Sequence, residues 1–129
     1  MTDTTAPAGE AEAAHDAAAL DRLVRFGGAK LLAAMLGTFR TNGRERLADG
    51  RAAVAAGDAA AAKLAYHSLK SSAAQLGAVS LARLCADAEA RSGAGHLDLV
   101  AASLPAIDHA YDEALAWMEA RAAAPGITP

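Results

Sequence analysis

Tyr66-His67-Ser68-Leu69-Lys70-Ser71-Ser72-Ala73-Ala74-Gln75-Leu76-Gly77-Ala78 is the stretch on which the reading of this chain turns. Its apolar residues return every three or four positions, which is the period of an α-helix and not of a strand. Together with Ala65 just upstream, Leu69, Ser72 and Leu76 form one stripe suited to a core. His67 lies almost opposite that stripe and so faces water. Lys63, four residues before it, and Lys70, three after it, share its face. Gly77 ends the helix, since glycine tolerates the left-handed backbone of a helix stop.

An exposed imidazole between two ammonium groups contributes little to folding, but it has the makings of a nucleophile whose product is an anion. The neutral ring has a free lone pair, and neighbouring cations favour that form over the imidazolium. If the electrophile is a phosphoryl group, the product carries about two negative charges, by analogy with other phosphorylated side chains. The same lysines then stabilise that product. Leu64, Ser71 and Ala74 surround the histidine with small or apolar side chains, and Gln75 is expected to join them in binding the partner. A flat patch of this kind suits docking of another protein's active site, because in-line phosphoryl transfer depends on close positioning.

Working outward, the pattern stays helical. Residues 1–15 hold Ala, Thr, Pro, Gly and Glu without a bulky apolar group, and are expected to form a disordered tail. Asp16 opens a short helix whose apolar side is Leu20, Leu23 and Val24, and Gly27-Gly28 ends it. From Gly28 the residues Leu32, Leu36, Phe39, Gly43, Leu47, Gly50 and Val54 recur at helical spacing. This register passes through Asn42-Gly43 and predicts one long helix to Ala56, with Gly43 as its weak point. Gly57 closes it and Asp58 caps the helix of His67, which runs from Ala59 to Leu76. Ser80 is placed to cap the following helix, with Leu81, Leu84, Cys85 and Ala88 inward. Ser92-Gly93-Ala94-Gly95 reads as a loop. The last helix carries Val100, Leu104, Ile107, Tyr111, Leu115 and Met118 on one stripe. Pro105 implies either a kink or a start near Ser103. The segment 122–129 is expected to be a disordered tail. The prediction is therefore all-α: an antiparallel up-down four-helix bundle over 16–121, with an extra short N-terminal helix.

Composition agrees. The hydrophobic fraction is 53% with only 4% aromatic, so most of it is alanine and leucine, which favour close helix packing. A net charge of −3 argues against non-specific nucleic-acid binding. No apolar run is long enough to span a membrane. Met1 to Pro7 lacks the charge and apolar block of a signal peptide. The single cysteine, Cys85, cannot form an internal disulfide and reads as a core residue. A cytoplasmic protein is expected. No metal site is expected, because neither a Glu-x-x-His pair nor a Cys/His cluster occurs.

The run His67-Ser68-Leu69-Lys70-Ser71-Ser72-Ala73-Ala74-Gln75-Leu76-Gly77-Ala78 resembles the signature of histidine-containing phosphotransfer (HPt) domains. Leu20-Asp21-Arg22-Leu23, Phe26-Gly27-Gly28 and the stretch from Leu31-Leu32 to Phe39 resemble the opening of such a domain. The similarity covers about residues 18 to 121. It implies a four-helix bundle with an exposed phosphoacceptor, His67, and a phosphate-stabilising lysine, Lys70; Gly77 corresponds to the helix-ending glycine. It implies no ATP site and no autonomous kinase activity. The partners implied are receiver domains, one on a hybrid histidine kinase and one on a response regulator, and the Mg²⁺ belongs to the receiver. Ser71 departs from the family, in which glycine is common after the lysine. The role of Lys63 comes from helical geometry alone.

Other residues read more plainly. His15, His96 and His109 are expected to be solvated. Arg40, Arg44 and Arg51 lie along one flank of the long helix, as a solvated face or a strip for an acidic partner. Ser68 and Ser72 turn toward the bundle, and no carboxylate on this helix orients His67, so a serine triad is not expected. The reading is a monomeric phosphorelay carrier. Two alternatives stay open: a receiver-docking regulator that carries no phosphate, and a dimeric phosphotransferase hub.

Overall fold

A computed structural model describes residues 14–123 of the chain. The regions 1–13 and 124–129, which make up most of the two expected tails 1–15 and 122–129, lie outside the described residues, while the last helix includes Ala122. Four helices follow one another: α1 (Ala17–Ala56), α2 (Ala59–Gln75), α3 (Val79–Gly93) and α4 (Leu97–Ala122). Each packs against the next, and α4 returns to α1, which closes an antiparallel bundle. Among the described residues no helix is long and apolar enough to cross a membrane.

The stops and starts follow local chemistry. Asp16 caps α1 by accepting a hydrogen bond from the Ala18 N–H at 3.0 Å. The expected break at Gly27-Gly28 takes the form of a kink inside α1. Gly28 alone leaves helical geometry, at φ 77° and ψ −177°, a conformation open to glycine. Gly57, with φ 71°, ends α1, and the Asp58 carboxylate accepts from the Ala61 N–H at 3.0 Å to start α2.

Two boundaries differ from the sequence-based expectation, and at a third the start near Ser103 is ruled out. Helix α3 begins at Val79 with Ala78 as its N-cap and no side-chain capping bond, so Ser80 sits inside the first turn. The reason is the tight Gly77 turn, which brings the Val79 N–H to the Gly77 carbonyl at 3.0 Å and starts the helix early. Ser92-Gly93 belongs to α3, because the turn is made further on by Gly95 in the left-handed region, where the His96 N–H reaches the Arg91 carbonyl at 2.8 Å. Helix α4 starts at Leu97 and carries Pro105 in its interior. Pro105 is exposed, so its missing N–H leaves no buried carbonyl stranded at the helix surface.

The core is one cluster. Leu20, Leu32, Leu36 and Phe39 of α1 meet Tyr66, Leu69 and Leu76 from α2 and its end, Leu81 and Cys85 of α3, and Val100, Ile107, Tyr111 and Met118 of α4. Burial pushes the Cys85 thiol up to about 12, consistent with an inert core residue. Two glycines on α1 set the depth of packing. A Cβ at Gly43 would lie 2.5 Å from the Tyr111 ring, and one at Gly50 would lie 2.5 Å from the Tyr66 ring. Gly43 is therefore where α4 seats an aromatic side chain, and α1 stays helical through it. The Tyr111 hydroxyl donates to the Phe39 carbonyl at 2.8 Å.

The arginine flank of α1 is used inside the fold. Arg40 pairs with Glu119 at 2.7 Å, Arg51 pairs with Asp108, and Arg44 lies over the Tyr111 ring at 5.6 Å. All three contacts tie α1 to α4, so the flank is neither merely solvated nor wholly open to an acidic partner. His15 is likewise held: it stacks on Trp117 with centroids 4.6 Å apart. Helical pattern cannot reveal that stack, because it depends on where the segment before Asp16 lies against α4.

Candidate functional site

The face of α2 opposite the core holds the candidate site. Tyr66, Leu69, Ala73 and Leu76 are buried. The inward stripe is therefore centred on Tyr66 and Ala73, and Ser72, assigned to it from sequence, is only half-buried. This rotation leaves the His67 side chain 56% exposed, open to a large partner. Lys70 follows on the same face and is partly exposed.

The sequence reading missed the third member of the site. Glu89 of α3 lies 2.9 Å from His67 Nδ1 and 2.6 Å from Lys70 Nζ. Its carboxylate bridges the two and is only 17% exposed. The hydrogen bond from Lys70, reinforced by His67, holds the Glu89 carboxyl below the usual glutamate range against the opposing effect of burial. An ionised carboxylate can only accept hydrogen bonds, so this contact requires a hydrogen on Nδ1, and in the neutral ring the lone pair then belongs to Nε2. The charge around the ring is thus a balance of one carboxylate and nearby ammonium groups, where the sequence suggested lysines alone.

Lys63 reaches elsewhere along the same face. Its stem and ammonium pass beside Gly93 at the end of α3: a Cβ on that glycine would lie 3.5 Å from Lys63 Cδ and 3.7 Å from Nζ. A cation at a helix C-terminus is favoured there by the helix dipole.

The four residues expected to surround the histidine are all exposed. Leu64 is 70% exposed, one of the few large apolar side chains in water. Ser71, Ala74 and Gln75 are exposed as well. The Ser71 hydroxyl donates back to the His67 carbonyl at 3.2 Å, so it lies along the helix and does not project over the ring. Ser72 makes the same kind of bond to the Ser68 carbonyl at 3.3 Å. No serine is hydrogen-bonded to the His67 ring among these contacts, and His67 takes its orienting carboxylate from α3. Two shallow grooves between α1 and α2 adjoin this face. One is lined by Met35, Phe39, Gln75 and Leu76, the other by Asp49, Ala61, Leu64 and Ser68.

Gly77 has a job beyond ending α2. Its φ is +78°, and its carbonyl accepts the Asp16 N–H at 2.7 Å. The Asp16 carbonyl occupies the space where a Cβ would stand. The start of α1 is thereby pinned to the end of the His67 helix.

His96 and His109 are exposed, and His109 pairs with Glu113 at 3.4 Å. Among the described residues no group of three or more His, Cys, Asp or Glu is placed to hold a metal ion.

An exposed histidine held by a carboxylate on a four-helix bundle is compatible with a phosphotransfer module, and comparison with known families points the same way. The Hpt domain family model matches residues 34–117, and the chain belongs to that family. It is a phosphocarrier of phosphorelays, whose family works with receiver domains. Among solved structures it is similar to histidine-containing phosphotransfer protein B (HptB) from Pseudomonas aeruginosa PAO1. The identity is 27%, with a TM-score of 0.79, covering 84% of this chain and 94% of that one. No curated protein sequence matches the chain.

Proposed function

We propose that His67 is the phosphoacceptor. It takes a phosphoryl group from an aspartate on the receiver domain of a hybrid histidine kinase and passes it to an aspartate on the receiver domain of a response regulator. The observation that supports this most is the Glu89 contact to Nδ1 on an exposed ring, since it occupies Nδ1 and leaves Nε2 as the nitrogen without that contact. Lys70 stabilises the phosphoryl oxygens as a mobile point charge. Lys63 adds a weaker, screened attraction. Leu64, Ser71, Ala74 and Gln75 form the surface on which the receiver docks. The Mg²⁺ is supplied by the receiver, and the chain needs no cofactor and has no kinase activity of its own. It acts as a monomer in the cytoplasm, with the His67 face open.

The test is transfer from a panel of radiolabelled, phosphorylated receiver domains to the wild type and to His67→Gln. Acid-labile, alkali-stable label on the wild type alone is the expected result. Binding to a receiver with no label on either chain would instead support a docking regulator.

A further inference from the structure

Building on the assignment of His67 as carrier, we propose that the negative charge of Glu89 makes phosphorylated His67 a short-lived, readily emptied donor. Glu89 is a positioning residue in this scheme. It acts through Nδ1 of His67 and through Lys70, and its charge matters beyond its hydrogen bond.

The first contact bears on bond breaking. On loading, the Nε2 lone pair forms the N–P bond while the P–O bond to the donor aspartate breaks and its electron pair returns to that carboxylate. The Nδ1 hydrogen stays in place, so the phosphorylated ring carries a positive charge. On transfer, an acceptor carboxylate oxygen forms the new O–P bond, and the N–P pair returns to Nε2. The ring leaves as neutral imidazole, and no proton has to move. Loss of the Nδ1 hydrogen from the phosphorylated ring would make Nε2 a much poorer leaving group. The ionised Glu89 carboxylate, 2.9 Å from Nδ1, opposes that loss.

The second contact bears on the phosphoryl group itself. Lys70 Nζ sits 2.6 Å from Glu89. A phosphoryl group with about two negative charges must compete with Glu89 for that cation and also stand near a mostly shielded carboxylate. Both effects shorten the life of the phosphorylated form. A neutral amide in place of Glu89 keeps an acceptor for the Nδ1 hydrogen and removes both effects.

The experiment loads the full chain with phosphoramidate as a small phosphoryl donor and follows loss of phosphohistidine to water by ³¹P NMR. Wild type, E89Q, E89D, K70A and H67Q are compared, with helicity checked by circular dichroism. E89Q is expected to hold its phosphoryl group at least about threefold longer, the size of a screened charge interaction. E89D keeps the charge and is expected to stay near wild type. K70A is expected to lose label faster. A purely structural role for Glu89 would alter E89Q and E89D alike and lower helicity. An E89Q lifetime equal to or shorter than wild type overturns the proposal while leaving His67 as carrier. Failure of the wild type to load, or equal loading of H67Q, overturns the carrier assignment and the proposal with it.

Discussion

Gly50 of α1 lies directly against the ring of Tyr66, the residue before His67, and a Cβ there would come 2.5 Å from Cζ and 2.6 Å from the hydroxyl. This contact fixes how deeply α2 seats on α1 and thus how far His67 is turned outward. Tyr66 is fully buried, and burial pushes its hydroxyl up to about 12. Its ring therefore has little room to yield. Gly50→Ala gains about 1 kcal/mol of helix propensity but overpacks a tight contact at about 1–3 kcal/mol. The expected net loss is about 1 kcal/mol, seen as a melting temperature several degrees lower. A variant as stable as wild type would show that the ring moves aside freely.

The Glu89 bridge predicts a pH dependence. Its carboxyl is held below the usual glutamate range in the folded chain, first by Lys70. The folded state therefore binds that proton less readily than the unfolded state. The resulting stabilisation is complete above the unfolded value of about 4.3 and fades as pH falls through the lower folded value. Thermal melts of wild type and Glu89→Gln from neutral to about pH 3 measure it. The wild-type advantage is expected to shrink only on the acid side. An advantage that persists unchanged to pH 3 would remove the ion pair as its source.

Much of this was legible in the sequence. The spacing of Leu69 and Leu76 against His67 gave the exposed histidine, and Gly57-Asp58 marked a helix junction because both residues act locally. Glu89 was not visible, since it is 22 residues from His67 and belongs to a different helix. A signal did exist. His67 lies eleven residues before Ala78 and Glu89 eleven after it, so an antiparallel turn at Gly77-Ala78 sets them opposite each other. The same fold-back sets Lys63 opposite Gly93, as observed. The uses of Arg40 and Arg51 were hidden for a different reason. Their carboxylate partners lie on α4, and exposed helix faces look alike in sequence whether solvated or paired.

Gly77 links the start of α1 to the His67 helix through backbone atoms alone. Gly77→Ala must adopt a left-handed φ and also displace the Asp16 carbonyl. The first effect costs about 1–2 kcal/mol, and the crowding adds a similar amount. A loss of about 2–4 kcal/mol in chemical denaturation is expected, together with faster amide exchange around Asp16. Unchanged protection at Asp16 would mean that the segment is held by His15 on Trp117 and Asp21 with Arg121 instead.

The two lysines beside His67 separate by geometry. Lys70 shares the Glu89 carboxylate with the ring, so its ammonium already stands beside the proposed phosphoacceptor. The side chain of Lys63 is laid along the end of α3, where water and salt screen its charge. Lys70→Ala is expected to slow phosphoryl transfer from a receiver about tenfold, the worth of one charge-assisted contact. Lys63→Ala is expected to slow it about twofold at most, with an effect that vanishes at high salt. Rapid-quench transfer at low and high ionic strength measures both. Equal losses for the two variants would mean that the phosphoryl group draws Lys63 away from Gly93 on arrival, and that the field of the whole helix face, not one contact, holds it.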